Sequence, residues 1–260
     1  MTRTPWSYDA IAEIYADDMG RNMPFDDVAW YRDLCLAQSG RVLELGCGTG
    51  RILLELIAAG VDAAGIDRSL PMLTQLAREA RRRRLAPRGL SIAQMDLRSL
   101  CLSGAFGLIL APYSLLTYLT QPAQATALLG QLRALLAADG RLVLDAFVPQ
   151  PVSSFADFTL DYRRARGGGG EIERRKRISI GTDGCHRIER LYRLYDAAGR
   201  PGEEIITSET IRPYRAEELA AMACQAGLRP LESVWDYGSR AGAEGARFAS
   251  LIVGRGGGAP

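Results

Sequence analysis

One stretch constrains this chain more than any other: Arg41-Val42-Leu43-Glu44-Leu45-Gly46-Cys47-Gly48-Thr49-Gly50-Arg51. Apolar residues surround Glu44, glycines take alternate positions at 46, 48 and 50, and Ile52-Leu53-Leu54-Glu55-Leu56-Ile57 resumes at helical spacing. This predicts a strand, a tight glycine turn and a helix. Glycine is needed because the backbone must turn sharply and lie close to a ligand, where a Cβ would intrude. A dinucleotide fingerprint does not fit, since Arg51 or Leu53 falls where its third glycine belongs, and no Lys-Ser/Thr pair follows to make a Walker loop.

The next acidic residues fall where a doubly wound sheet places strand tips. Val61-Asp62-Ala63-Ala64-Gly65-Ile66 is a short apolar run closed by Asp67, and Leu90-Ser91-Ile92-Ala93-Gln94-Met95 is closed by Asp96. A carboxylate at such a tip can accept two ribose hydroxyls. Taken singly, each Asp is equally a helix cap. Glu44, Asp67 and Asp96, each closing an apolar strand in turn, argue for one shared site.

Further along, Phe106–Ala111 is apolar throughout, as a parallel strand buried on both faces requires. Its carboxyl end opens into Pro112, Tyr113 and Ser114, and ligands of open α/β sheets bind outside those ends. A helix over Gln124–Ala138, stopped by Asp139-Gly140, and a strand over Arg141–Phe147 complete an alternation of strand and helix. The pattern then changes to four β-like runs, Phe158–Arg166, Glu171–Ile180, Cys185–Tyr195 and Glu203–Ile211, separated by glycine-rich turns. These predict an antiparallel meander packed on the rim of the site. A helix over Arg215–Ala226 and strands over Leu228–Tyr237 and Arg247–Arg255 end the chain.

The E-L-G-C-G-T-G motif, the D-R-S-x-x-M-L segment from Asp67, Asp96 and the opening Y-D-x-I-A-x-x-Y from Tyr8 to Tyr15 resemble class I S-adenosylmethionine-dependent methyltransferases. The likeness is to bacterial enzymes that act on small molecules. It implies an α/β fold: a doubly wound, seven-stranded Rossmann-like sheet with an antiparallel last strand and an inserted β-meander. It divides the chain into N-terminal helices over 1–40, a cofactor-binding core over 41–150 and 214–256, and an insert over 155–213 covering the active site.

The same resemblance implies a cofactor, S-adenosyl-L-methionine, leaving as S-adenosyl-L-homocysteine. Around it would stand Tyr8 and Tyr15 of the first helix, then Glu44, Gly46, Cys47, Gly48 and Gly50 of the turn. Asp67, Arg68 and Met72 would follow from the second tip, Asp96 and Leu97 from the third, and Ala111 from the fourth. Pro112, Tyr113, Ser114 and Leu116 would face the substrate, and Arg190 of the meander could meet an anionic group on it.

Methyl transfer from a sulfonium needs alignment more than a base, so a shaped pocket is expected rather than a triad. Tyr113 and the single histidine, His186, are the candidates for catalytic work, His186 because imidazole titrates near neutrality. Ala111-Pro112-Tyr113-Ser114 lacks the amide or carboxylate that grips a planar base nitrogen, which disfavours DNA methylation. N-methylation is expected ahead of O-methylation. A non-methylating enzyme that binds the same cofactor, a regulatory protein keeping the fold, and a protein or RNA methyltransferase are the other readings.

Composition narrows the partners. Thirty-two basic residues against 30 acidic ones leave a formal charge of +2, too little for a field aimed at nucleic acid or membrane. Six arginines between Arg78 and Arg88 read as a solvated helix tail, with no aromatic residues interleaved for stacking on bases. Five cysteines, none in a C-x-x-C pair, suit neither a disulfide framework nor zinc, and no metal site is expected. The absence of an apolar leader suggests a cytoplasmic protein, monomeric or homodimeric.

Overall fold

The computed structural model describes residues 7–15, 25–85, 90–148 and 153–256. Two helices precede the first sheet: α1 (Ser7–Ile11) and α2 (Asp27–Leu36), the latter capped by the Asp26 carboxylate on the Ala29 N–H at 3.1 Å. Residues 16–24 lie outside the described residues, and with them the end of the first expected helix, which the sequence places at Met19. Then β1 (Val42–Leu45), α3 (Leu53–Ala58), β2 (Ala63–Asp67), α4 (Leu70–Arg82), β3 (Ser91–Gln94) and β4 (Phe106–Ala111) alternate. Ser69 caps α4 by accepting from the Met72 N–H at 3.2 Å, and Met72, Leu73, Leu76 and Ala80 form its buried stripe.

Helix α5 (Pro122–Leu135) passes directly into β5 (Leu136–Phe147), three residues before the helix end read from the sequence. Leu136 pairs with Phe106 and the next pair is Arg141 with Leu108, so Ala137–Gly140 bulge out of register. Burying Leu136 beside Phe106 at the sheet's end outweighs another helical turn through Ala138.

Strand β5 leads to the meander: β6 (Phe155–Ala165), β7 (Glu171–Ile180), β8 (His186–Tyr195) and β9 (Pro201–Ile211), a four-stranded antiparallel sheet in chain order. Helix α6 (Ala216–Gln225), β10 (Leu228–Trp235) and β11 (Phe248–Arg255) return to the first sheet. Its order is β10-β11-β5-β4-β1-β2-β3, with β11 antiparallel to both neighbours. This is the Rossmann-like methyltransferase arrangement expected from the sequence.

Strands β1 and β4 are buried along their whole length between two apolar layers. A third, smaller cluster joins the sheets: Ile11, Ala12 and Ile14 of the N-terminal segment, Met72 of α4, and Ile172 and Tyr192 of the meander. Ser7 donates to the Ser208 carbonyl at 2.9 Å and accepts from its N–H at 3.2 Å, so α1 covers the free edge of β9. The meander is therefore packed on the N-terminal segment and on Met72 of α4. Among the described residues no helix is long and apolar enough to cross a membrane.

Candidate active site

The strand tips enclose a cleft of about 1120 Å³, its open mouth included. One end is built by the glycine turn. Gly46, Gly48 and Gly50 all sit in the left-handed region, at φ +65°, +52° and +88°. A Cβ on Gly46 would come within 2.7 Å of Leu115 Cδ1, and one on Gly50 within 2.8 Å of both Leu54 and Leu76.

Asp67 fastens this turn from the neighbouring tip. Its carboxylate accepts from the Gly48 N–H at 2.8 Å and the Ser69 N–H at 2.7 Å, and burial raises its pKa against the pull of those bonds. Asp96, at the third tip, accepts from the Arg98 N–H and is bridged by the Arg68 and Arg98 guanidinium groups at 3.3 and 3.5 Å. Arg51 reaches Asp27 of α2 at 2.6 Å in a pair whose acid is buried. The Cys47 thiol is pushed well above its usual range by burial and is no nucleophile.

Glu44 is the anomaly of this end. It is 2% exposed, its Oε2 accepts no hydrogen bond, and burial raises its carboxyl to about 8 although the Arg51 charge opposes the shift. A buried acceptor left open beside a glycine cradle fits a cationic ligand group.

The other end is aromatic. Tyr8 and Tyr118 share a hydroxyl–hydroxyl hydrogen bond, the Tyr15 ring stands edge-on to Tyr8 at 5.7 Å, and both bonded phenols are pushed up by burial. Behind them Arg190 is ion-paired with Glu209, which is 4% exposed. Arg190, expected to meet an anionic group of the substrate, is engaged here by a carboxylate of the next strand. Two other arginines of the meander are paired in the same way: Arg177 with Glu189 at 2.8 Å and Arg193 with Glu204 at 2.6 Å.

Of the residues expected at the cofactor, Tyr8, Tyr15, Glu44, Gly46, Cys47 and Gly48 line the cleft, as do Asp67, Arg68, Met72, Asp96 and Leu97. Gly50 shapes the turn from beneath, and Ala111 is buried inside β4. Pro112 and Tyr113 line the acceptor side, whereas Ser114 and Leu116 are buried in the turn below it. His186 does not line the cleft. It opens β8, four residues from Arg190 and so roughly 13 Å along the strand.

Thr49, Arg51, Ile52, Ile66, Met95, Arg98, Leu115, Tyr118 and Leu119 line the cleft without having been singled out from sequence. Arg51 closes the glycine motif and Arg98 follows Asp96 by two residues, so proximity to the motifs was their signal. Tyr118 had none: its partner Tyr8 is 110 residues away.

Fold and cleft together define a Rossmann-like methyltransferase architecture. The family model described as a methyltransferase domain matches residues 42–140. The demethylmenaquinone methyltransferase of Thermus thermophilus is 33% identical over 138 residues, 50% of this chain and 59% of that protein. The chain spans less than two thirds of the curated relatives it matches. The CcbJ methyltransferase of Streptomyces caelestis superposes with a TM-score of 0.78 at 21% identity, over 98% of this chain and 100% of that one. The sugar N-methyltransferase KedS8 of Streptoalloteichus does so with 0.70 at 21%, over 94% and 92%. At these identities the solved structures establish a shared fold.

Proposed function

We propose that the protein is an S-adenosylmethionine-dependent methyltransferase that N-methylates a small molecule. The observation that carries this reading is the open, buried Glu44 carboxyl beside the left-handed glycine turn, with Asp67 and Asp96 presented from the next two tips. S-adenosylmethionine, when bound, supplies an electrophilic methyl group on a sulfonium. Glu44 offers its unfilled oxygen to positive charge, Asp67 its remaining lone pairs to a diol, and Asp96 an acceptor between two arginines. Met72, Leu97 and Ile66 provide the apolar walls that exclude water.

The acceptor side favours nitrogen. The Tyr8 and Tyr118 hydroxyls there are held protonated by burial, and neither takes a proton from an alcohol near neutral pH. A neutral amine needs no such base. The phenolic oxygens retain lone pairs that orient its N–H groups, and the closed Tyr8–Tyr118 bridge holds both rings against the cleft. The insert over 155–213 then shapes the substrate end.

The test is transfer of isotopically labelled methyl from S-adenosylmethionine to a panel of small amines, phenols and alcohols. Label in amines supports the reading. Label confined to phenols or alcohols overturns the choice of nitrogen, and intact cofactor binding with no methylated product overturns methyl transfer.

A further inference from the structure

Four donors from four separate segments converge on one buried carboxylate, Asp145 of β5. Its Oδ2 accepts from the Tyr31 hydroxyl of α2 at 2.6 Å, the Tyr113 backbone N–H at 2.8 Å and the Tyr237 hydroxyl at 2.8 Å. Its Oδ1 accepts from the Ser250 hydroxyl of β11 at 2.7 Å. Asp145 is 1% exposed, and a carboxylate so buried persists only with such a set of donors.

Two strained turns hang on this group. Among the described residues five that are not glycine have positive φ, and four of them are Tyr113 and Ser114 at +54° and Asp236 and Tyr237 at +47° and +55°. Each such residue costs on the order of 1–3 kcal/mol and survives only where its surroundings over-determine it. Both turns donate to the same Oδ2, one through a backbone N–H and the other through a phenol. The rings complete the clamp: Tyr113 packs on Phe147 and Phe248 at 5.4 and 5.7 Å, and Phe248 on Tyr237 at 5.5 Å.

A strand that only had to turn would place glycine at these angles without strain. Here Tyr113 takes a left-handed backbone at the cleft wall, held from a residue that does not itself line the cleft. We propose that Asp145 is a positioning residue for the acceptor side of the active site. It holds the Pro112–Tyr113 wall in its left-handed form and ties that wall to α2 and to the C-terminal hairpin. The assignment of that wall to the methyl acceptor rests on the methyltransferase reading; the clamp does not.

Hydrogen exchange resolved by residue, with S-adenosylhomocysteine as binding probe, tests this on the full chain. In the wild type the Tyr113 amide is protected. In Asp145→Ala it exchanges about tenfold faster than the change seen at β4 amides such as Leu108, while affinity for the probe stays within about threefold, because the glycine turn and Asp67 are untouched. Asp145→Asn restores protection: its carbonyl oxygen keeps three donors and its amide donates to the Ser250 oxygen. Should Asp145→Ala fail to fold, Tyr237→Phe removes one tie and raises Tyr113 exchange selectively, by about fivefold. Unchanged Tyr113 exchange in the variants, or a rise shared equally by every strand, overturns the proposal. Failure of the wild type to bind the probe, with the selective exchange pattern intact, defeats the methyltransferase reading and leaves the clamp standing.

Discussion

The two sheets of this protein are stabilised in different ways. Every residue of β4 is buried and its neighbours meet it through aliphatic layers, so the strand tips that carry Glu44, Asp67 and Pro112 are placed by close packing. The meander buries few side chains per strand and is laced by cross-strand pairs of partly exposed arginines with Asp or Glu. Such pairs are individually weak and tolerant of exchange. The strand tips are thus built where geometry cannot drift, and the meander where surface residues can change at little cost. The two regimes meet at Arg190 and Glu209, a meander pair whose carboxylate is buried.

That contrast is most easily broken at Glu209. Glu209→Ala strands the Arg190 charge and is expected to destabilise by about 3 kcal/mol or more in urea unfolding; a loss under about 1 kcal/mol would put this pair with the exposed ones. Gly50→Ala is next, at about 2–3 kcal/mol in the same measurement. Its Cβ meets Leu54 and Leu76 at 2.8 Å while φ stays at +88°.

Glu44 gives a pH signature of the core. With its carboxyl raised to about 8, the native state keeps a proton that the unfolded chain releases near its ordinary value of 4.5. The stabilising contribution is complete below that value and is lost as pH rises through the folded pKa. Stability of the ligand-free protein should therefore fall between pH 5 and 8, relative to Glu44→Gln, by on the order of 2 kcal/mol. Smallest of all is Arg177→Ala. It removes a partly exposed meander pair and should leave the melting temperature unchanged within error.

What the sequence disclosed follows the same division. The glycine turn, the acid-closed strands and the meander were legible because turn chemistry and alternation are local signals. The junction at Leu135–Leu136 was not, since the helix yields there to a pairing with Phe106, 30 residues earlier. Nor was Tyr118, which joins the site through Tyr8 of the N-terminal helix, or Asp145, whose four donors come from distant segments. An acid set inside the apolar run of β5 was the one trace Asp145 left. Arg190 was singled out from the sequence, but its partner Glu209 lies on another strand, and pairing decides what that charge can do.

The central claim, a cofactor cleft built on the glycine turn and closed by Asp67, is tested most directly by isothermal titration with S-adenosylhomocysteine. The wild type should bind in the micromolar range or tighter, and Asp67→Ala should weaken binding by roughly a hundredfold, as expected when one buried acceptor serves both ligand and turn. No binding to the wild type, or equal affinity in Asp67→Ala, would contradict it.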